Sequence, residues 1–191
     1  MKQVIDIIEQ GLLRINAGTC FYIIDAEERI AIDSGDRKER QSILKFLPNV
    51  IPLESIKKLI LTHAHYDNAG NFDLFPNAEI YMHEEELKGF HENPAQAVID
   101  DDLWKKLLTT DIKKLPENIA GLEVIHTPGH TKGSICLWWQ EKKALFTGDT
   151  LLENGTGRID YPTSMPEEMG KSLSKLVPYN HKLLFPCRRT C

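Results

Sequence analysis

Three short segments of this 191-residue chain place histidine and aspartate directly after candidate strands. THAHYDN (62–68) follows the apolar run KKLIL, HTPGHTKGS (126–134) follows LEVI, and FTGDT (146–150) follows KALF. Catalytic and binding side chains are often carried on loops that a rigid scaffold positions. Three such loops in one chain therefore predict a shared site.

The residue types in these loops favour a divalent metal. In the H-x-H pattern of His63 and His65, the two imidazoles project to the same side of an extended segment, so both can reach one ion. A Pro-Gly pair forces the turn that presents His130, and a glycine in FTGD lets the backbone expose Asp149. Three imidazole nitrogens and a carboxylate suit Zn²⁺, and they also suit Fe²⁺ or Mn²⁺.

The elements around these loops follow a mixed α/β pattern. Short β-branched runs predict strands at QVIDII, GLLRIN, CFYIID and RIAIDSG, and later at SIKKLILT, AEIYMH, GLEVIH, SICLWWQ, KALFTGD and KLLFP. Helices are predicted at KERQSILKFLPN, where Pro48 ends the helix, and at PEEMGKSLSKLV. AGNFDLF is predicted to start another helix, which ends at Pro76. Residues 84–118 are mostly polar and helical, and we interpret them as an insertion that caps one side of the site.

Composition indicates one globular domain over residues 1–191, with 41% hydrophobic and 27% charged residues. The formal net charge of −5 makes nucleic acid an unlikely partner, and no apolar run is long enough for a membrane span. The four cysteines form no C-x-x-C pair, and the N-terminus lacks the features of a signal peptide. These features predict a cytoplasmic protein that acts on a small molecule.

The loop sequences resemble a known family. THAHYDNAG, HTPGHTKGS and LFTGDTLLENGTGRID are similar to the signature segments of the metallo-β-lactamase fold superfamily, in particular its glyoxalase II-like (hydroxyacylglutathione hydrolase-like) small hydrolases. AIDSGD around Asp33 resembles the early aspartate motif of the same family. The resemblance implies a four-layer αββα sandwich, with two mixed sheets flanked by helices and metals at one edge of the sheets.

The resemblance also implies roles for individual residues. His63, His65 and His130 match the three histidines of the first metal site. Asp149 matches the carboxylate that bridges two metals, and Asp67 matches a ligand of the second metal. We also expect Asp67 to be catalytic, by orienting the attacking water or taking its proton.

Two departures from the family pattern affect the second metal. Asn68 stands where the family has a histidine, and an amide oxygen is a poor ligand for zinc. The family also has a histidine after the last strand, where this chain has LLFPCRRTC. We therefore predict one tightly bound Zn²⁺, with a second ion weak or absent.

The ending CRRTC suggests a separate hypothesis. A one-base shift in one back-translation of this ending yields a histidine codon, so we hypothesise that a shifted reading frame or a cloning event produced it. The gene sequence, read through its stop codon, tests this.

The implied activity is hydrolysis of an ester, thioester, lactone or amide of a small substrate by a metal-activated water. Three alternatives stay open. One is a mononuclear iron enzyme similar to the persulfide dioxygenases, which the loss of second-site ligands favours. The others are a ligand-binding member without turnover and a nuclease of the same fold, against which the acidic net charge weighs.

Overall fold

Two β-sheets form the centre of residues 4–188, which are the residues that the computed structural model describes. The first sheet has seven strands in sequence order. They are β1 (Ile5–Glu9), β2 (Leu12–Ala17), β3 (Thr19–Ile24), β4 (Arg29–Ile32), β5 (Ile56–Ile60), β6 (Glu79–Met82) and β7 (Ile112–Lys114). The strands β1 to β4 are antiparallel neighbours, and β4 to β7 pair in parallel.

The second sheet has five strands in the order β12-β11-β10-β9-β8. They are β8 (Asn118–Ile119), β9 (Leu122–His126), β10 (Ile135–Trp139), β11 (Ala144–Gly148) and β12 (Leu183–Pro186). Only the β11–β12 pair is parallel among these strands. Since β9 and β11 both run antiparallel to β10, their carboxyl ends lie at the same edge of the second sheet, and the loops after them share a site with the loop after β5 of the first sheet.

The helices lie outside the sheets. They are α1 (Arg40–Phe46), α2 (Tyr66–Ala69), α3 (Glu84–Glu92), α4 (Pro94–Val98), α5 (Leu103–Leu108) and α6 (Pro166–Leu176). One apolar cluster joins the first sheet to α1 and α3–α5, a second lies between the sheets, and a third joins the second sheet to α6. The predicted four-layer αββα sandwich is confirmed.

The helix predicted at AGNFDLF does not form as expected. The chain makes α2 before this segment and a short 3₁₀ turn at Phe72–Leu74 within it. Between them, the Asn71 side chain donates hydrogen bonds to the carbonyls of Ser34, Gly35 and Asp36. These contacts hold the chain against the loop after β4, and no sequence pattern indicated them.

Residues 84–118 contain α3, α4 and α5, followed by the edge strands β7 and β8. Phe90, Val98, Leu103 and Leu107 are buried in the cluster that covers the first sheet. The capping role of this segment stays a prediction. None of the helices within residues 4–188 has the length and apolar character that a membrane crossing requires.

The first turn of α3 depends on a histidine. His83 Nδ1 accepts a hydrogen bond from the Glu85 N–H at 3.2 Å, and its ring stacks on His126 with ring centroids 4.0 Å apart. Burial, then the neighbouring His126, lowers the pKa of His83 from 6.5 to about 4. Because a protonated Nδ1 cannot accept, this cap holds only while the ring is neutral.

We expect His83→Asn to reduce the acid sensitivity of the fold. The depressed pKa makes the cap fully stabilising above pH 6.5, and this stabilisation is lost as pH falls from there toward 4. An asparagine cap does not titrate, so between pH 7 and 5 the variant should lose about 1 kcal/mol less free energy of unfolding, a value discounted for the half-exposed ring. Urea unfolding at both pH values measures this, with His91→Asn on the same helix as the control. Equal losses in wild type and His83→Asn would contradict the prediction.

Candidate metal centre

Three buried histidines meet at the edge of the sheets. His63 and His65 lie between β5 and α2, and His130 lies in the loop between β9 and β10. Their ring centroids are 4.6–4.7 Å apart. One ring nitrogen from each lies within 4.8 Å of the others, which makes this a group that can hold a metal ion.

The hydrogen bonds of His130 define which nitrogen faces the site. His130 Nδ1 lies 2.6 Å from the carbonyl oxygen of Arg158, and a carbonyl can only accept, so Nδ1 carries the proton. Its Nε2 lies 2.9 Å from His65 Nδ1 and 3.1 Å from Asp149 Oδ2. Two ring nitrogens and a carboxylate oxygen this close together need a cation or a proton between them.

His63 is oriented by a chain of hydrogen bonds that ends on Asp33. His63 Nδ1 lies 3.1 Å from the Thr62 hydroxyl, which itself donates to Asp33 Oδ2 at 2.8 Å. This leaves His63 Nε2 aimed toward Asp149 Oδ2 at 3.9 Å, buried and without a hydrogen-bond partner among the described residues. Such partners behind a ligand fix the tautomer and direction of a metal-binding imidazole.

Burial keeps His63 and His65 neutral. It lowers the pKa of His63 well below 6.5 and that of His65 to about 3, with the neighbouring histidines adding to the effect. Burial opposes ionisation of Asp149, but the hydrogen bond from His130 and the charges of His63 and His130 hold its pKa far below the usual value. Burial lowers the pKa of His130, but the hydrogen bond and charge of Asp149 outweigh it and raise that pKa, so His130 would give up a proton when a divalent ion binds.

Gly148 permits the close approach of the β11 end to the first histidine loop. Its φ is +49°, and an added Cβ would lie 2.8 Å from the Thr62 hydroxyl. A larger residue here would displace the hydroxyl that orients His63.

Glu86 on α3 joins two of the ligand loops, and the sequence did not single it out. Its buried carboxylate accepts hydrogen bonds from the Ala64 N–H at 2.8 Å, the Thr131 hydroxyl at 2.7 Å and the Gly133 N–H at 3.0 Å. Ala64 lies between His63 and His65, and Thr131 follows His130. The only available signal was a glutamate in the first turn of a helix, which is also typical of solvent-exposed positions.

Asp67 and Asn68 do not join the three-histidine group in the described structure. Asp67 Oδ2 accepts from the Arg188 guanidinium, and Asn68 Nδ2 donates to Asp33 Oδ2 at 2.9 Å. Asn68 thus supports the aspartate behind His63. The predicted roles of Asp67 and Asp149 as metal ligands stay predictions. The reading-frame hypothesis for CRRTC also stays a prediction, and residues 189–191 of that segment lie outside the described residues.

Comparison with known proteins identifies the family. The family model described as "Metallo-beta-lactamase superfamily" matches residues 13–188, nearly the whole described chain. This chain belongs to the metallo-beta-lactamase superfamily.

Relatives within the superfamily include named hydrolases. The chain is 33% identical over 178 residues to the hydroxyacylglutathione hydrolase GloC of Haemophilus influenzae, which covers 86% of this chain and 82% of that protein. It is 29% identical over 181 residues to the atrochrysone carboxyl ACP thioesterase of Aspergillus fumigatus, covering 88% of this chain but only half of that protein. These relatives identify the chain as a hydrolase of the superfamily.

A solved structure supports the same relationship. The crystal structure of TTHA1623 in a di-iron-bound form has a TM-score of 0.70 and 25% identity, over 90% of this chain and 88% of that one. This match confirms the metallo-beta-lactamase fold. It also shows that a protein of similar structure binds iron, so the fold does not by itself select zinc.

An aromatic side chain lies against the three-histidine cluster. The Tyr161 ring lies 5.0 Å from His65 and 5.8 Å from His130, measured between ring centroids, and Arg158 lies over its other face at 4.6 Å. Arg158 also pairs with Asp160 through two hydrogen bonds of 2.8 and 2.9 Å, both side chains being exposed. The Arg158–Asp160 pair therefore holds the arginine against Tyr161, whose ring lies beside two histidines.

Proposed function

We propose that this chain hydrolyses a small acyl ester or thioester in the cytoplasm with one tightly bound Zn²⁺. The observation that carries this proposal is the cluster of three buried histidine nitrogens, two of which lie within 4 Å of the Asp149 carboxylate. His63, His65, His130 and Asp149 would hold the ion. When bound, it would lower the pKa of a water ligand and polarise the substrate carbonyl.

The protein's own side chains would perform the rest of the reaction. Asp67 lies at the start of α2 beside the histidine loop, and burial raises its pKa while Arg188 opposes that rise. A carboxylate in this position can accept the proton of an attacking water. The His63–Thr62–Asp33 chain and the His130–Arg158 carbonyl contact keep the imidazoles in place throughout.

A thioester is the substrate class that the relatives favour. An acylated glutathione and an acyl carrier protein both present an acyl group on sulfur, and the names of two relatives refer to these substrates. A cavity lies between α3–α4 and the loops that follow His130 and Tyr161, next to the histidine cluster in sequence but lined by none of the three histidines. Six of its lining residues are Glu86, Phe90, Gln96, Lys132, Pro162 and Thr163.

Metal analysis and a substrate panel test the proposal together. Protein purified without added metal is expected to carry about one divalent ion per chain by inductively coupled plasma mass spectrometry. It should also hydrolyse S-acyl thioesters, and a chelator should abolish that activity. No tightly bound metal, or full activity after chelation, would overturn the proposal.

The identity of the bound metal distinguishes the proposed hydrolase from a second candidate function. Imidazole donors bind iron as well as zinc, and TTHA1623 was crystallised with iron. Tightly held iron, with oxygen consumption on a persulfide and no thioester hydrolysis, would instead support the dioxygenase-like alternative.

Asp67→Ala is expected to reduce turnover more than metal content. If Asp67 handles the proton of the attacking water, kcat should fall about 100-fold or more while about one metal per chain is retained. Asp73→Ala is the control, because its exposed carboxylate pairs with Arg40 outside the site. Parallel loss of metal and activity in Asp67→Ala would show that Asp67 is a ligand first.

A further inference from the structure

The guanidinium of Arg188 lies beside the histidine cluster and faces two carboxylates and a thiol. The Arg188 guanidinium contacts Asp67 Oδ2 through Nη2 and lies 3.7 Å from Asp149 Oδ1 through Nε. The Cys187 thiol donates to the same Oδ1 of Asp149. Asp67, Asp149 and Cys187 are all buried, and their oxygen and sulfur atoms are of the types that bind metals.

The backbone holds this end of the chain in place. The Cys187 N–H donates to the Gly148 carbonyl at 3.1 Å, and the Cys187 carbonyl accepts from the Cys20 N–H at 2.5 Å. The Tyr22 hydroxyl donates to the Pro186 carbonyl at 2.6 Å. The segment after β12 is therefore anchored to both sheets, and Arg188 is presented to Asp67 by a fixed backbone.

We propose that Arg188 replaces a second metal ion, keeping the centre mononuclear by placing its guanidinium between Asp67 and Asp149. The proposal rests on the proposed function, since it concerns the same metal centre. An arginine remains charged at every physiological pH, and its planar fork suits carboxylates. A second divalent cation would have to displace this charge, and Coulomb repulsion opposes both occupying the same carboxylates.

The same geometry predicts what removal of the guanidinium would create. Asp67, Asp149 and Cys187 would then be free to bind a second ion. Binding through sulfur would release the thiol proton to solvent, because the thiolate is the ligand. Cys187 therefore provides a spectroscopic signal that reports on this position alone.

Cobalt titration of the full chain, after removal of its metal, tests the proposal. Wild type is expected to bind about one Co²⁺ without a thiolate-to-cobalt charge-transfer band. Arg188→Ala should bind about one more ion with that band, and Arg188→Ala/Cys187→Ser should lack the band. Arg188→Lys keeps a cation and should retain wild-type stoichiometry. Arg29→Ala, which removes an exposed arginine paired with Asp25, is the matched control.

The outcomes separate the two proposals. Wild type that binds no cobalt would overturn the proposed metal-dependent function. If wild type and Arg188→Ala each bound one Co²⁺, and neither showed the charge-transfer band, only the proposed role of Arg188 would be overturned. Two ions in wild type would show that the guanidinium does not exclude the second metal, while chelator-sensitive hydrolysis would still test the first site.

Discussion

Replacing His130 with alanine is expected to remove the tightly bound metal and the hydrolase activity together. His130 is the central residue of the cluster, because its Nε2 lies 2.9 Å from His65 Nδ1 and 3.1 Å from Asp149 Oδ2. Loss of a residue that only supports a metal ligand commonly costs 10–100-fold, so loss of this ligand should reduce kcat/KM by at least ~100-fold. Metal content after dialysis and thioester hydrolysis measure the two effects.

A stability measurement distinguishes loss of metal from loss of structure. Metal that binds only the folded state raises the melting temperature, so a chelator should lower the Tm of wild type. The same chelator should leave the Tm of His130→Ala unchanged. His126→Ala is the matched control, because His126 is the other histidine of the HTPGH segment and stacks on His83 outside the cluster. A His130→Ala protein that retains metal and a chelator-sensitive Tm would contradict the proposed ligand set.

Most of the strands and the three-histidine cluster were predictable because their signals are local, whereas β7 and β8 arise around the end of the segment 84–118 that we expected to be mostly helical. Alternating or continuous β-branched runs specify strands, and the H-x-H spacing places two imidazoles on one side of an extended segment. The His130 loop could be added because it too follows a predicted strand, and loops on a rigid scaffold often carry binding side chains. The family resemblance supplied the four-layer αββα arrangement, which periodicity alone does not determine.

The contacts that complete the site were not predictable in this way. Arg188 and Asp67 are 121 positions apart, and the arginine lies where the family pattern led us to expect only a missing histidine. Asn68 was expected to be a weakened ligand, yet its amide donates to Asp33 behind His63. Both depend on the packing of the last strand and of α2, which no residue spacing encodes.

Glu86→Ala is expected to be the most damaging substitution outside the metal ligands. The carboxylate accepts from two backbone N–H groups and one hydroxyl, all buried, and alanine would leave the N–H groups of Ala64 and Gly133 without this acceptor. Unsatisfied buried donors cost about 1–3 kcal/mol each, and relaxation will recover part of this, so we expect a loss on the order of 3 kcal/mol in the free energy of unfolding. Urea denaturation of the metal-free protein measures it directly.

The same variant should weaken metal binding, because Glu86 holds the loops of His65 and His130 at a fixed separation. A 10–100-fold loss in metal affinity is the usual effect of removing such a support. Glu86→Gln keeps one acceptor oxygen and should be intermediate in both measurements. Glu85→Ala removes the neighbouring exposed carboxylate, which pairs with Lys88, and should change stability by no more than about 0.5 kcal/mol. If Glu86→Ala lost stability but kept wild-type metal affinity, α3 would be supporting the fold without positioning the metal ligands.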